Sequence, residues 1–323
     1  MAHKIILDTD PGIDDAMAIF TALAHPDIEL LGLTTTFGNV SVAQACMNAL
    51  TLVEMSDADV PVCIGESWPR HSDPMPFPDF VHGMDGLGDQ FLPPPHRHQH
   101  DKFAAPFIIE QVRKYPGEVT LVAVGPLGNL AHVLELDPEI AKLVKQVVIM
   151  GGSIEHAGNV SPVAEANIFA DPHAADMVMA ASWPLVMVGL DVTYTVLFDR
   201  KLFSYIANHN RKVGFMLQRA ADFYIDFYQH EYKVPGCYGH DISALAYVIN
   251  PALFETIEGA MCVVPDGIAA GQTIMKRIKG DAYFVRAWDD RPPHKACMKV
   301  NAQGIIDLFR DTMTNDYWRV RPK

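Results

Sequence analysis

Four aspartates lie close together near the N-terminus, where residues 8–15 read DTDPGIDD. Carboxylates at this spacing repel one another, so burying them is costly unless a cation or protons compensate their charge. Oxygen ligands suit Ca²⁺ or Mg²⁺, and several carboxylates on a flexible loop favour Ca²⁺. A lone pair such as Asp14 and Asp15 would more often cap a helix. The whole set, with Pro11 and Gly12 turning the chain inside it, predicts a metal site.

The elements that must position this cluster follow from alternating apolar and amphipathic segments. Strands are predicted at 4–9, 28–36, 60–64, 119–124, 147–150 and 185–190. Helices are predicted at 15–24, 42–55, 103–114 and 172–181. Strands that are apolar on both faces and alternate with helices indicate an α/β fold with an open, mostly parallel central sheet and helices on both faces, a Rossmann-like arrangement. Ligands bind beyond the carboxyl ends of such strands, and the aspartate cluster follows the first one.

The rest of the chain departs from this regular alternation. Residues 65–101 are rich in Pro and His and too long for a plain connection, which predicts an active-site loop. Residues 211–238 are an aromatic-rich helical stretch. Further strands are predicted at 261–264 and 283–288, and a last helix at 302–314. Because no repeat or linker interrupts the chain, we expect one domain over residues 1–323.

The composition limits the partners. A net charge of −14 argues against nucleic acids and anionic membranes, which attract clustered Lys and Arg. The five cysteines show neither a disulfide framework nor a zinc spacing, which predicts reduced thiols. The N-terminal residues lack the pattern of a signal peptide, and no apolar run approaches the roughly 20 residues of a membrane span. We therefore expect a cytoplasmic protein that binds neither membranes nor nucleic acid.

Seven motifs occur in one order along the chain. They are DTDPGIDDA at 8–16, TTTFGNV at 34–40, VHGMDGLG at 81–88, VGPLGN at 124–129, MGGS at 150–153, GNVSPVAEANIFADPHAA at 158–175 and GHD at 239–241. As a set they resemble the inosine–uridine preferring nucleoside hydrolase family. The resemblance covers most of the chain and implies the nucleoside hydrolase fold. It also implies hydrolysis of the N-glycosidic bond of ribonucleosides to ribose and free base, and a homodimer or homotetramer.

The resemblance further implies a calcium site. The Ca²⁺ ligands would be the side chains of Asp10, Asp15 and Asp241 and the backbone carbonyl of Val124, with waters and ribose hydroxyls completing the shell. Glycosidic cleavage passes through an oxocarbenium-like transition state, and a metal-bound water would attack it. Because Ca²⁺ acidifies water less than Zn²⁺ does, a general base is still needed, and the family pattern gives this role to Asp10.

Ribose contacts are carried over from the same motifs. Asp14 would accept a hydrogen bond from a ribose hydroxyl, and Met150 would pack beneath the sugar. An extended segment would point residues 165 and 167 the same way. The implied ribose-binding residues are Asp14, Asn39, Met150, Asn159, Glu165 and Asn167. Core packing remains an alternative for Met150.

The base pocket is implied by two histidines. His240, beside Asp241, would act as the acid or contact the base ring, and His82 would lie near the base. Tyr228 and Tyr232 are four residues apart and share a helix face, so they are predicted to line the pocket, with core packing as the alternative. The family's purine-specialised branch stacks the base on Trp. The tryptophans at 68, 183, 288 and 318 are expected elsewhere, which favours pyrimidine or mixed specificity.

Two other functions remain open from the residues alone. A haloacid dehalogenase-type phosphatase would use Asp8 as its nucleophile, but that motif needs Thr or Val where Gly12 stands. A non-catalytic, calcium-dependent nucleoside binder would use the same aspartates without turnover. Release of base from a nucleoside separates both alternatives from a hydrolase.

Overall fold

A nine-stranded sheet runs through the computed structural model, which describes residues 2–277 and 286–318. The strands are β1 (His3–Thr9), β2 (Ile28–Thr35), β3 (Val62–Ile64), β4 (Val119–Ala123), β5 (Gln146–Met150), β6 (Leu185–Val188), β7 (Leu197–Phe198), β8 (Cys237–Tyr238), β9 (Phe254–Val263), β10 (Thr273–Arg277) and β11 (Pro293–Val300). Strands β7 and β8 form a separate antiparallel pair. The other nine make up the central sheet.

The order of the strands locates the ligand crevice. It is β3-β2-β1-β4-β5-β6-β11-β9-β10, and the seven strands from β3 to β11 are parallel. Strand β9 runs antiparallel to both of its neighbours. The order 3-2-1-4-5-6 is that of doubly wound folds, in which the chain reverses its direction of growth between β1 and β4. The predicted α/β fold with a mostly parallel sheet is confirmed, and the crevice lies beyond the carboxyl ends of these two strands.

Helices cover both faces of the sheet. They are α1 (Ile13–Ala24), α2 (Val42–Met55), α3 (Asp79–His82), α4 (Ala104–Lys114), α5 (Gly128–Leu136), α6 (Ile140–Leu143), α7 (Ala166–Ala170), α8 (Pro172–Ala180), α9 (Leu190–Thr193), α10 (Arg200–His209), α11 (Gly214–Tyr232), α12 (His240–Ile249) and α13 (Ala302–Met313). Ile5 and Leu7 belong to one hydrophobic core and Ile6 to the other, because successive side chains of a strand point to opposite faces.

Several predicted boundaries needed correction. The strand expected at 185–190 ends at Val188, because Gly189 caps the short helix α9. The aromatic stretch at 211–238 contains α11 and then β8. Of the strand expected at 283–288, residues 283–285 lie outside the described residues, and Arg286–Trp288 forms a 3₁₀ helix. Within the described ranges, we find no helix with the length and apolar composition needed to cross a membrane.

Candidate active site

A cavity of about 310 Å³ opens beyond the carboxyl ends of β1 and β4. It brings together predicted site residues from distant parts of the chain. Those that line it are Asp10, Asp14, Asn39, His82, Val124, Met150, Asn159, Glu165, Asn167, Tyr228, Tyr232, His240 and Asp241. Asp15 is fully buried and is not part of the cavity lining. The predicted active-site loop at 65–101 supplies a further part of the wall, from Trp68 to His82.

The floor of the cavity is acidic. Oxygen atoms of Asp14, Asp15 and Asp241 lie within 4.8 Å of one another, and all three residues are buried. Asp14 and Asp15 are in the first turn of α1, and Asp241 is in the first turn of α12. Two helix N-termini, with their partial positive charge, therefore face the cluster. The N-cap of α12 is Gly239, so Asp241 is not the helix cap.

Asp10 lies beside this cluster at the end of β1. Its Oδ2 atom accepts the backbone N–H of Asn39 at 2.7 Å. Its Oδ1 atom is buried and has no hydrogen-bond partner in the described part of the chain. Burial, and then the charge of Asp15, raises the pKa of Asp10 well above its usual value. A buried carboxylate oxygen without a donor is costly, so it fits a site that binds a cation, water or a substrate proton.

Asp15 is fixed by four donors. The Thr9 hydroxyl and the Asp10 N–H donate to Oδ1 at 2.5 and 3.2 Å, and the Gly12 N–H and the Asn39 amide donate to Oδ2, each at 2.9 Å. Burial raises its pKa despite these bonds. One amide N–H of Asn39 therefore orients Asp15, and Asn39 also lines the cavity, where its contact with a ribose stays a prediction.

The donor set fits a divalent cation. Burial and then the charges of neighbouring aspartates raise the pKa values of Asp14 and Asp241 well above the usual range. Among the described residues that line the cavity there is no Lys or Arg to compensate this charge. The carbonyl of Val124 accepts a hydrogen bond from the Asn167 amide at 2.7 Å, which leaves its second lone pair available. This cluster could hold a metal ion.

The ribose-side residues differ from their prediction in backbone conformation. Glu165 and Asn167 do not lie on an extended segment: Glu165 is the N-cap of α7, and its carboxylate accepts the N–H groups of Asn167, Ile168 and Gly152. The Asn167 amide donates to the carbonyls of Val124 and Met150. A capping carboxylate of this kind stabilises the helix start. Glu165 thereby fixes the segment that presents Asn167 to the cavity.

Asn159 and Met150 complete this side of the cavity. The side-chain oxygen of Asn159 accepts the N–H of Ala166 at 2.9 Å, and the residue is exposed. Met150 is 3% exposed and ends β5. Both residues line the cavity, so packing in the core and a contact with a ligand are compatible for Met150.

Two buried histidines also line the cavity. The ring of His240 lies between two hydroxyls, with Nδ1 at 2.8 Å from Thr193 Oγ1 and Nε2 at 3.1 Å from the Tyr228 hydroxyl. Burial lowers the pKa of His240 to about 4. Burial, and then the nearby His240, lowers the pKa of His82 to about 3. Both rings are therefore neutral near pH 7.

The aromatic lining is larger than predicted. Tyr228 is buried and Tyr232 is half exposed, and both line the cavity as expected. The expectation that all tryptophans lie elsewhere is wrong, because Trp68 lines the cavity and is 60% exposed. It follows the end of β3 and belongs to the loop at 65–101, whose many prolines gave no periodic pattern from which its direction could be predicted.

Asp8 is not placed for nucleophilic attack. Its Oδ1 atom accepts the Thr34 hydroxyl at 2.5 Å and the Asn129 amide at 2.7 Å. Burial raises its pKa to about 7. Asp8 is not among the described residues that line the cavity. A nucleophile must reach its substrate, so the position of Asp8 disfavours the phosphatase alternative.

Comparison with known proteins agrees with this geometry. A family model described as inosine-uridine preferring nucleoside hydrolase matches residues 5–307. The chain belongs to the inosine–uridine preferring nucleoside hydrolase family. It is similar to a probable uridine nucleosidase 2 of Arabidopsis thaliana, with 40% identity over 96% of this chain and 97% of the relative. The family assignment indicates an enzyme that hydrolyses the N-glycosidic bond of ribonucleosides.

Solved structures of other nucleoside hydrolases share the fold. A plant nucleoside hydrolase, the PpNRh1 enzyme, has a TM-score of 0.94 and 37% identity, covering 97% of this chain and 99% of that one. A purine-preferring ribonucleoside hydrolase from Gardnerella vaginalis has a TM-score of 0.90 and 34% identity, covering 96% and 98% of the two chains. The predicted nucleoside hydrolase fold is confirmed.

The sequence missed several residues that shape this site. Tyr224 lines the cavity and its hydroxyl lies 3.3 Å from that of Tyr228. Its spacing of four residues before Tyr228 could have indicated it, as the same spacing indicated Tyr232. Thr193 ends α9 and Tyr194 follows it, and both lie beyond the strand expected at 185–190, in a segment for which no element was predicted.

Proposed function

We propose that this nucleoside hydrolase is calcium-dependent and that Asp10 is its general base. The observation that carries the proposal is the buried Oδ1 atom of Asp10, which has no partner among the described residues and lies on the cavity wall beside the acidic cluster. Asp15 and Asp241, whose carboxylate oxygens lie within 4.8 Å of that of Asp14, would hold the ion together with Asp10 and the Val124 carbonyl. Asp10 is not one of the three grouped carboxylates, so its place as a ligand rests on the family resemblance. All of these are oxygen ligands, as Ca²⁺ prefers.

Different residues would carry out the separate tasks of the reaction. A bound calcium ion would lower the pKa of water and hold ribose hydroxyls. Oδ1 of Asp10 takes a proton from the attacking water, which needs such a base at neutral pH. Asp14 accepts a hydrogen bond from a ribose hydroxyl, and the carboxylate floor stabilises the positive charge that develops on the sugar.

We propose that different residues of the cavity hold the ribose and the base. Asn159 and Asn167 orient the ribose, and Glu165 positions Asn167 through its hydrogen bonds to the start of α7.

His82 and His240 contact the nucleobase, which is the leaving group. The Tyr228 hydroxyl holds the His240 ring in place. Neutral His82 would donate its Nε2–H to the base, because its Nδ1 atom accepts the Ile13 N–H. Both ring nitrogens of His240 are hydrogen-bonded to Thr193 and Tyr228, so His240 would contact the base ring rather than donate to it.

We propose a preference for pyrimidine nucleosides or a mixed preference. Its support is the similarity to a relative named for uridine, together with the two histidines on the base side. The similarity to a purine-preferring structure and the position of Trp68 favour the mixed form of the proposal. Uridine, cytidine, inosine and adenosine compared by kcat/KM in one assay would rank the bases.

The assay that tests the proposed function measures reducing sugar and free base together, with uridine as substrate. Equal amounts of ribose and uracil, lost on chelation and restored by Ca²⁺, are expected. Binding of uridine without release of uracil would instead support a non-catalytic binder. Release of phosphate from sugar phosphates, without base release from uridine, would support the phosphatase.

The remaining proposals concern the whole molecule. We propose that residues 1–323 form one domain, because the central sheet takes strands from His3 to Val300. Homodimers or homotetramers in the cytoplasm are proposed from the family resemblance and from the free thiols. Light scattering coupled to size-exclusion chromatography would distinguish the dimer from the tetramer.

A further inference from the structure

A row of aromatic rings leads from the buried base side of the cavity to solvent. Ring centroids are 5.1 Å apart for Tyr228 and Phe227, 5.9 Å for Phe227 and Phe80, and 5.6 Å for Tyr228 and Tyr232. Exposure rises along the row from 5% at Tyr228 to 50% at Tyr232 and 68% at Phe80. All four side chains line the same cavity as the carboxylates. We call Phe80, Phe227 and Tyr232 the outer aromatic wall.

Three further exposed apolar side chains line the same cavity. Trp68, Met75 and Phe77 line it and are 60%, 40% and 38% exposed. Single exposed apolar side chains are common, but a group of them around one cavity marks a binding surface. Ribose is polar and matches the carboxylate and amide floor. The apolar mouth therefore matches a part of the ligand that lies farther out than the ribose.

The charge of the cavity lining restricts which chemical groups can bind at its mouth. The cavity lining includes Asp10, Asp14, Glu165 and Asp241, and no Lys or Arg among the described residues. An anionic group would be repelled by this field. Aromatic rings bind planar apolar groups in offset-stacked or edge-to-face contact. The wall thus suits an uncharged, planar, apolar group.

We infer that the outer aromatic wall is a subsite for an uncharged aryl group attached to the nucleobase on the edge away from ribose. This inference rests on the proposed function, because it takes the base to lie beside His82 and His240. Tyr228 packs against Phe227 and Tyr232 of the outer aromatic wall and also contacts His240. The aromatic surface is therefore continuous from the wall to the expected position of the base. A uridine with a phenyl group at C5 has the required shape, since C6 separates C5 from the glycosidic nitrogen.

The test compares 5-phenyluridine with uridine by the ratio of their kcat/KM values. In Phe80→Ala this ratio should fall by roughly 3- to 10-fold relative to the wild type, the effect of losing one aromatic contact. Comparing ratios between variants cancels the effect of the phenyl group on the reactivity of the base. Phe80→Tyr keeps the ring and should keep the ratio within about twofold.

The matched control is Phe215→Ala. Phe215 is 62% exposed on α11 but does not line the cavity, so this change should leave the ratio unaltered. The rate with uridine should stay within about twofold of wild type in Phe80→Ala, which also shows that α3 and His82 are intact.

Each outcome separates the inference from the proposed function. No release of uracil from uridine by the wild type would refute the proposed function itself. If uridine is cleaved, the inference is overturned by an unchanged ratio in Phe80→Ala, by equal losses with both substrates, or by no cleavage of 5-phenyluridine in the wild type.

Discussion

The Nδ1 atom of His82 accepts a hydrogen bond from the backbone N–H of Ile13 at 3.1 Å. Ile13 begins α1, whose first turn carries Asp14 and Asp15. His82 and the acidic floor are thereby fixed to each other across 69 residues of chain. Because Nδ1 accepts, the proton of the neutral ring is on Nε2. His82 is a neutral N–H donor at the cavity wall.

We expect His82 to stay neutral from about pH 5 to pH 8, since its pKa is lowered from 6.5 to about 3. As pH falls, His82 takes up a proton near pH 6.5 in the unfolded chain but only near pH 3 in the folded chain. Protonation therefore favours the unfolded chain, and His82 should lower the free energy of unfolding as pH falls from 6.5 towards 3. Nitrogen-15 NMR of the His82 ring, assigned with His82→Gln, reports the Nε2–H tautomer directly. A ring that titrates near pH 6.5 would contradict the hydrogen bond to Ile13.

Chelation should destabilise the protein more at high pH. In the absence of a cation the pKa values of Asp10, Asp14 and Asp241 are raised by burial and then by neighbouring aspartates. The folded state then holds protons that the unfolded state has released, so stability falls as pH rises. A cation replaces those protons. We expect chelator to lower Tm by roughly 5 °C at about pH 8 and by much less at about pH 5.5.

Differential scanning fluorimetry measures these Tm values, with Ca²⁺ added back in excess of the chelator as the control. An equal change at both pH values, or none, would show that the cluster does not bind the cation in its ionised form.

Asp191 should act on ribose binding from a distance. Its carboxylate accepts the N–H groups of Ile154 at 2.7 Å, Glu155 at 2.7 Å and His156 at 3.0 Å, and so holds the loop that leads to Asn159. Asp191→Asn replaces an acceptor with a donor at this point. We expect KM for uridine to rise about tenfold with kcat within threefold. Steady-state kinetics measure this split.

Two comparisons make the role of Asp191 testable. Adding Asn159→Ala to Asp191→Asn should raise KM little further, since both act on one contact. Asp199→Asn makes the same replacement at the N-cap of α10, where Oδ1 accepts the Leu202 N–H at 2.9 Å, and should leave KM unchanged. Fully additive effects on KM would show that Asp191 does not act through Asn159.

Asn129 should contribute strongly to stability. Its side chain accepts the Glu66 N–H at 2.8 Å and donates to Asp8 at 2.7 Å and to the Thr35 carbonyl at 3.0 Å. It therefore connects the ends of three strands, and Asn129→Ala removes one hydrogen bond from each of three groups. We expect a loss of about 3 kcal/mol in the free energy of unfolding. Urea unfolding measures it, with the exposed Asn208→Ala as control, for which less than about 0.5 kcal/mol is expected.

The sequence predicted the parts of the fold that carry a strong local pattern. Apolar segments such as β1 and β4 are buried on both faces, so their composition revealed them. Strands β10 and β11 were not predicted, because Lys residues interrupt their apolar positions near the edge of the sheet. Both strands pair with β9, and pairing between separate segments of the chain cannot be predicted from a local sequence pattern.

For the site, motif order predicted which residues meet, but not how they are held. Asp10, Asp14 and Asp241 do share one cavity. The N-cap position of Glu165 and the placement of Trp68 depend on the paths of two loops. Turn-rich segments have no periodicity from which side-chain direction follows, so neither feature can be predicted from the sequence pattern.

The most direct test uses protein freed of metal by chelation, assayed for ribose and uracil release from uridine before and after addition of Ca²⁺. The wild type should be inactive when stripped and regain activity with Ca²⁺. Asp10→Asn should still bind uridine but lose roughly 10²- to 10⁴-fold in kcat with Ca²⁺ present. Full activity of the stripped wild type, or an unimpaired rate in Asp10→Asn, would contradict the proposed roles of the cation and of this carboxylate.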